Sequence, residues 1–300
     1  MKSILIMAAG SGSRYGALKQ FDELGPNGEF LFEYGIYDAL ACGFQHVVLI
    51  TRKAYVTELR AYLSDRLPQG VKLDVLAQEV SDLPDGTRHS FSREKPWGTA
   101  HAVWTARGVI KGPFVVVNAD DYYGRRSFEL AGEFIDKDER MPEFGLVPYR
   151  LSETLSPQGS VSRAVCRQEG GYLEDIVEYL ELVEGDNGIV DLQTGARFSG
   201  EELVSMNFWI LGHRVFELIE KDLVSFVGSE EAGTGGEIYI PKQVQQWRAA
   251  GKVRVKLTGS CTDWFGVTYA KDKSRAMEKL GEKTNIKFYP SPLWKRPEQS

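Results

Sequence analysis

The sequence predicts an α/β fold, a parallel sheet covered by helices, and three observations carry that expectation. Apolar runs of strand length recur at residues 4–7, 46–50, 71–76 and 114–118, and near-continuous apolar runs mark strands buried on both faces. Between them lie stretches with apolar residues at helical spacing, so the opening order is strand, helix, strand, helix, strand. The first strand runs directly into Ala8, Ala9, Gly10, Ser11 and Gly12. Such small residues let the backbone turn tightly and point several N–H groups at one place, which makes an anion-binding nest.

The elements follow in order. Gly25, Pro26, Asn27 and Gly28 signal a turn, residues 31–42 a helix, and Gly43 its termination. Val56, Leu59, Tyr62 and Leu63 set a helical period within residues 53–67, ended by Pro68 and Gly70. Residues 78–96 are polar and irregular. Thr99 is placed to cap a helix reaching about Arg107. The strand at 114–118 ends in Ala119, Asp120 and Asp121, and in open α/β sheets that end faces the ligand crevice. A helix over 126–137 and a strand over 144–151 complete the regular alternation. Strands are then expected at 161–167 and 172–180 around a Gly170, Gly171 turn, and at 203–211. Residues 186–200 read as an exposed excursion, 215–224 and 240–250 as helices, and 253–257 as an edge strand.

With 300 residues, 42% hydrophobic and 26% charged, the chain is large enough for a sizeable core. A net charge of −6 argues against an extended nucleic-acid surface. No apolar run approaches the roughly 18 residues of a membrane span, and the N-terminus lacks a signal-peptide core. Cys42, Cys166 and Cys261 form no CxxC pair, which fits free thiols in a reducing cytoplasm. His46, His89, His101 and His213 are scattered and suggest no histidine metal centre. No repeat or linker divides the chain. We expect one domain, with a nucleotide-binding half at about 1–139, a substrate side at about 140–270 and a tail at 271–300.

Arg14 and Lys19 add two fixed cations to the small-residue loop. Tyr15 stands where a dinucleotide fingerprint needs glycine, and Lys19 lies between Leu18 and Gln20, so the loop is not a Walker motif either. Small residues and two cations after a buried strand read as a triphosphate site.

Taken with EKPWGTAHAV, VNADD, the IVE that ends at Glu178, and SMNFW around Asn207, the loop AAGSGSRYGALK resembles the sugar-phosphate nucleotidyltransferases. The resemblance covers about residues 3–270. It implies a Rossmann-like, GT-A-like α/β/α fold with a mostly parallel mixed sheet. It also implies nucleotidyl transfer from a triphosphate to a sugar 1-phosphate, with Mg2+ as cofactor and pyrophosphate released. On this resemblance Arg14, Lys19 and Asp120 are catalytic. Ala8, Ala9, Gly10, Ser11, Gly12, Ser13, Gln78, Gly98 and Thr99 bind the nucleotide, with UTP favoured. Glu178 and Asn207 bind the sugar, and Asp120 and Asp263 the metal. A homo-oligomer is allowed; nucleic acid and membrane are not expected.

Two positions depart from the family. Glycine stands at 266, where a late Trp-x-Asp-x-Gly would supply a second metal aspartate, and Tyr179 follows Glu178 where a cation is usual. Asp263, three residues before Gly266, is the substitute ligand we expect. Two alternatives stay open: a cytidylyltransferase acting on a non-sugar alcohol phosphate, and a non-catalytic nucleotide-binding regulator of the same fold. Against the first, the strand-end sequence here is Asn118, Ala119, Asp120, Asp121 rather than Asp-Ala-Ala-Arg.

Overall fold

Burial along the central strands builds three layers. The structure, a computed structural model, describes residues 1–10, 21–89, 91–185, 188–267, 269 and 271–294. β1 (Ser3–Met7), β2 (His46–Thr51), β3 (Lys72–Ala77) and β4 (Phe114–Asn118) lie parallel in the order β3-β2-β1-β4. Successive side chains of a strand point to opposite faces. Ile4, Ile6, Val47, Leu49, Val115 and Val117 accordingly enter one core, while Leu5, Val48, Ile50 and Val116 enter another.

The first core is closed by α1 (Leu31–Ala41), α2 (Val56–Ser64) and α4 (Arg125–Lys137) through Ile36, Leu63 and Phe128. The second is closed by α3 (Thr99–Thr105), α5 (Val215–Val227) and α7 (Ile240–Ala249) through Val103, Leu223 and Val244. A short α6 (Glu230–Gly233) lies between the last two. Alternation in strands buried on both sides is what makes this an α/β/α sandwich.

The sheet continues beyond β4 through antiparallel β11 (Leu203–Leu211), then β6 (Phe144–Arg150) and β12 (Val255–Leu257), parallel to one another. β7 (Val161–Glu169) and β8 (Tyr172–Gly185) form a hairpin whose turn glycines, Gly170 and Gly171, have φ of 58° and 82°. A two-stranded ribbon of β5 (Asp121–Tyr122) and β13 (Phe265–Gly266) stands apart. α8 (Asp272–Asn285) follows. Among the described residues no helix is long and apolar enough to cross a membrane.

Three expectations need correction. Within 186–200, β9 (Gly188–Asp191) pairs back onto β8 and β10 (Arg197–Phe198) onto β9 instead of forming an exposed excursion. The buried Asp191 carboxylate takes the N–H of Thr194 and that of Glu181, closing the turn. β12 is no edge strand: it lies between β6 and β8, with Val255 and Leu257 buried and Lys256 exposed. Alternation reports a one-sided core but not a place in the sheet. The described part of the expected tail is α8 plus a segment that buries Tyr289, Leu293 and Trp294 against the first core.

Candidate active site

Register brings the two chemical stretches together. Met7 pairs in parallel with Ile50 and with Asn118, so β1, β2 and β4 end level. Beyond that line the Ala8 N–H donates to the Ile50 carbonyl at 2.7 Å and the Ala119 N–H to the Met7 carbonyl at 3.1 Å. Ala8 to Gly10 and Ala119 to Asp121 therefore leave the sheet side by side, at the end where open α/β sheets bind ligands. Ala8 and Ala9 are buried, and a Cβ built on Gly10 would meet nothing within 4 Å. Ser11, Gly12, Ser13, Arg14 and Lys19 lie outside the described residues. The sequence reading passed over Arg52, whose guanidinium donates to the Ala9 and Gly10 carbonyls, each at 3.4 Å. Its signal was a basic residue directly after a buried strand adjacent to β1.

Tyr123 ties the aspartate turn to the distant Asn207. Its buried hydroxyl receives the Asn118 N–H at 3.0 Å and stands 2.8 Å from the Met206 carbonyl and 3.2 Å from Asp121 Oδ2. One proton cannot serve two acceptors fully, and the shorter distance favours Met206. Asp121 Oδ2 also accepts from Asn118 Nδ2 at 2.8 Å. Asn207, next to Met206, has φ of 61° where the β11 register shifts between Ser205 and Trp209. Asparagine tolerates this left-handed conformation better than most residues, and bulges of this kind re-aim side chains near sites. Its Oδ1 accepts from Trp209 Nε1 at 3.3 Å. Glu178 is exposed on β8; its partner Ala164 pairs in turn with Ser205, so Glu178 stands two strands from β11. Glu178 also lies within electrostatic reach of Tyr239, whose hydroxyl is pushed up chiefly by burial and then by Glu237 and Glu178.

The missing aspartate at 266 has a steric counterpart. Gly266 is the cross-strand partner of Asp121, and a Cβ there would lie 2.4 Å from Asp121 Oδ1 and 2.9 Å from the Trp264 ring. The Asp121 carboxylate thus fills the space a side chain at 266 would enter. Asp263 is not placed beside it. Consecutive strand residues face opposite ways, and Asp263 belongs to the Tyr122 side: its Oδ2 is 2.7 Å from Lys283 Nζ and 3.5 Å from the Tyr122 hydroxyl. Asp121, not Asp263, is thus the carboxylate that follows Asp120 at the end of β4. Among the described residues no group of three His, Cys, Asp or Glu side chains is arranged to hold a metal ion. Two adjacent carboxylates suit Mg2+, which takes one or two of them and completes its shell with water and substrate phosphates.

A second cluster surrounds the Gly98 turn. Gly98 has φ of 103°, and a Cβ on it would lie 2.5 Å from the Ile238 carbonyl, so conformation and space both require glycine. The Ile238 N–H donates to the Trp97 carbonyl and the Ala100 N–H to the Ile238 carbonyl, at 2.8 and 3.0 Å. Gly98 takes the cap position of α3, and the Thr99 hydroxyl instead accepts the Ile240 N–H at 3.0 Å, capping α7. That corrects the expected role of Thr99. Gln78, at the end of β3, donates its side-chain amide to the Gly98 carbonyl at 3.0 Å. Gln78, Gly98 and Thr99 therefore meet in one place. His101 adjoins them, its charged form disfavoured by burial.

The profile of a family described as nucleotidyl transferase matches residues 3–155, just over half of the chain. Comparison with curated protein sequences returns no match. Among solved structures, the inositol-1-phosphate CTP transferase from T. maritima aligns with a TM-score of 0.62 at 15% identity, over 94% of this chain and 97% of its own. A Bacillus anthracis protein assigned as a glucose-1-phosphate thymidylyltransferase, solved with a sucrose, aligns at 0.63 and 14%, over 93% and 95%. A UDP-glucose pyrophosphorylase complexed with UDP-glucose aligns at 0.62 and 15%, over 94% and 99%. At such identities the likeness is one of fold, and its coverage is nearly complete in both directions. The family profile reaches further than fold, because it spans the small-residue loop, the Gly98 turn and the paired aspartates: the chain belongs to the nucleotidyl transferase family.

Proposed function

We propose that this protein transfers a nucleotidyl group from a pyrimidine nucleoside triphosphate, UTP first, to a sugar 1-phosphate. One observation carries the reading. The level ends of β1 and β4 set Ala8 to Gly10, where the small-residue loop begins, beside Ala119 to Asp121, and this supports a shared crevice for phosphate donors and carboxylates. Similar folds in proteins named for inositol 1-phosphate, glucose 1-phosphate and UDP-glucose chemistry support an acceptor that is a phosphorylated polyol.

In this chemistry an acceptor phosphate oxygen attacks the α-phosphorus in line. One P–O bond forms, the bond to the β-phosphate oxygen breaks, and pyrophosphate leaves with the bonding pair. A phosphate is already anionic, so no general base is needed. Arg14, Lys19 and the loop amides would hold the triphosphate and stabilise charge developing on the departing pyrophosphate. Asp120 and Asp121 would hold Mg2+, which when bound neutralises phosphate charge and aligns the reacting oxygens. Gln78 and the Gly98 turn would take the base; Glu178 and Asn207 would take sugar hydroxyls. Positioning then supplies much of the rate.

The test is a matrix of triphosphates against sugar 1-phosphates, read by pyrophosphate release. A pyrimidine triphosphate with one sugar 1-phosphate should dominate. Clear preference for ATP or GTP would overturn the base assignment, and triphosphate binding without release in any pair would favour a regulator.

A further inference from the structure

We propose that His101 is a positioning residue: it fixes which end of the Gln78 amide faces the nucleotide base, making the base site an acceptor that selects the N3–H of uracil or thymine. This rests on the reading of Gln78 as a base contact and goes beyond it.

The argument runs along four groups. The Asp82 backbone carbonyl lies 2.6 Å from His101 Nε2. A carbonyl can only accept, so Nε2 carries a hydrogen. The ring is buried, and that burial lowers its pKa, with the Arg107 and Arg93 charges acting in the same direction and Asp82 opposing. A neutral ring protonated at Nε2 presents a bare lone pair at Nδ1. The Gln78 amide end lies 3.1 Å from that Nδ1 and 3.0 Å from the Gly98 carbonyl. An amide oxygen there would face two acceptors; an NH2 gives each of them a hydrogen. The nitrogen must therefore point inward, with both hydrogens engaged. Gln78 Oε1 is left, and among the described residues it has no hydrogen-bond partner.

Each support is itself held. The Asp82 side chain receives both terminal nitrogens of Arg107, at 3.0 and 2.7 Å, and that guanidinium lies 3.4 Å over the Trp104 ring. The Gly98 carbonyl accepts the Ala102 N–H at 3.1 Å, and the Gln78 N–H donates to the Thr51 carbonyl at 2.9 Å. No member can rotate without losing a bond. A fixed acceptor welcomes an imide N3–H and meets the lone pair of cytosine N3 with repulsion. One neutral hydrogen bond gained or lost corresponds to roughly tenfold in affinity.

Two variants separate positioning from mere packing. In His101→Asn the amide oxygen can stand where Nδ1 stood, keeping an acceptor for Gln78. In His101→Gln the longer amide can reach Asp82 but leaves no acceptor at Nδ1. We expect the Gln variant to lose about tenfold of the UTP-over-CTP preference, through KM for the triphosphate rather than kcat. The Asn variant should keep the preference within about threefold. Nitrogen NMR of histidine-labelled wild-type protein, assigned with either variant, should show His101 protonated at Nε2 and bare at Nδ1 near neutral pH. A ring protonated at Nδ1, or a Gln variant of unchanged thermal stability that keeps the wild-type preference, would overturn the inference. Wild-type preference for CTP over UTP would overturn it too, leaving the pyrimidine reading intact. Preference for ATP or GTP would overturn that reading, and this inference with it.

Discussion

Two buried polar networks in this molecule are finished differently. In the first, α1 and the turn before it bury three carboxylates, Glu29, Glu33 and Asp38, at 4%, 0% and 0% exposure. Donors from the far end of the chain meet them. The Leu293 N–H reaches Glu29 at 3.1 Å, Trp294 Nε1 reaches Glu33 at 2.7 Å, and the Tyr289 hydroxyl reaches Asp38 at 2.6 Å. Tyr62 and Arg125 add bonds of 2.7 and 2.9 Å to Glu33 and Asp38. In the second, the chain from Arg107 through Asp82, His101 and Gln78 is equally ordered but stops one partner short, at Gln78 Oε1. Buried polar groups are costly unless bonded. A network closed on itself serves the fold; the acceptor left open at Gln78 Oε1 is the one we propose for the base.

The largest effect should come from breaking the closed network. Trp294→Ala removes a ring buried against Tyr37 and strips Glu33 of a donor. Loss of such a side chain costs about 3–5 kcal/mol, readable as a lower urea midpoint. KM for the triphosphate should not move; a comparable rise in KM would show that the clasp and the nucleotide side are not separate.

The same network should carry a pH signature. Burial raises the Asp38 pKa from 3.8 to about 6, against the lowering pull of Tyr289 and Arg125. The folded state then holds this proton more tightly than the unfolded chain. Its contribution favours the fold fully below about pH 4 and is lost as pH rises through about 6. The span corresponds to about 3 kcal/mol. Glu33 and Asp222 slope the same way, while Asp74, Asp138, Asp191 and Glu202 slope the opposite way, so the comparison is with Asp38→Asn. Between pH 4 and 6 the variant's stability should rise more steeply with pH than wild type, and parallel curves would contradict the assignment.

On the open side, Lys19→Ala and Arg14→Ala should each cut turnover about a hundredfold, about 2.7 kcal/mol of barrier, with the urea midpoint unchanged. Near-normal turnover in both variants would remove the phosphate-loop assignment.

What the sequence revealed follows the same division. β1, β2 and β4 were legible because strands buried on both faces are apolar throughout; the loop and aspartate motifs could be picked out because each is local, though residues 11–20 lie outside those described. β11 was placed to the residue. The clasp was invisible: Trp294 meets Glu33 across 261 positions and Tyr289 meets Asp38 across 251. A carboxylate in an amphipathic helix gives no sign that a distant tyrosine will cover it. Tyr123, Arg52 and His101 escaped for the same reason, since each acts through partners on other elements. The contacts of Asp263 with Tyr122 and Lys283 were equally hidden, since distance along the chain does not tell which side of the ribbon a carboxylate joins.

The most direct test of the central claim follows the α-phosphorus itself. Wild-type protein, UTP, Mg2+ and a sugar 1-phosphate can be mixed and watched by phosphorus NMR. The account predicts that the γ- and β-phosphorus signals of UTP become free pyrophosphate, while the α-phosphorus signal becomes a diester anhydride coupled to the former sugar phosphate. Release of pyrophosphate with UMP and an untouched acceptor would contradict transfer, as would UTP left intact with every sugar 1-phosphate supplied.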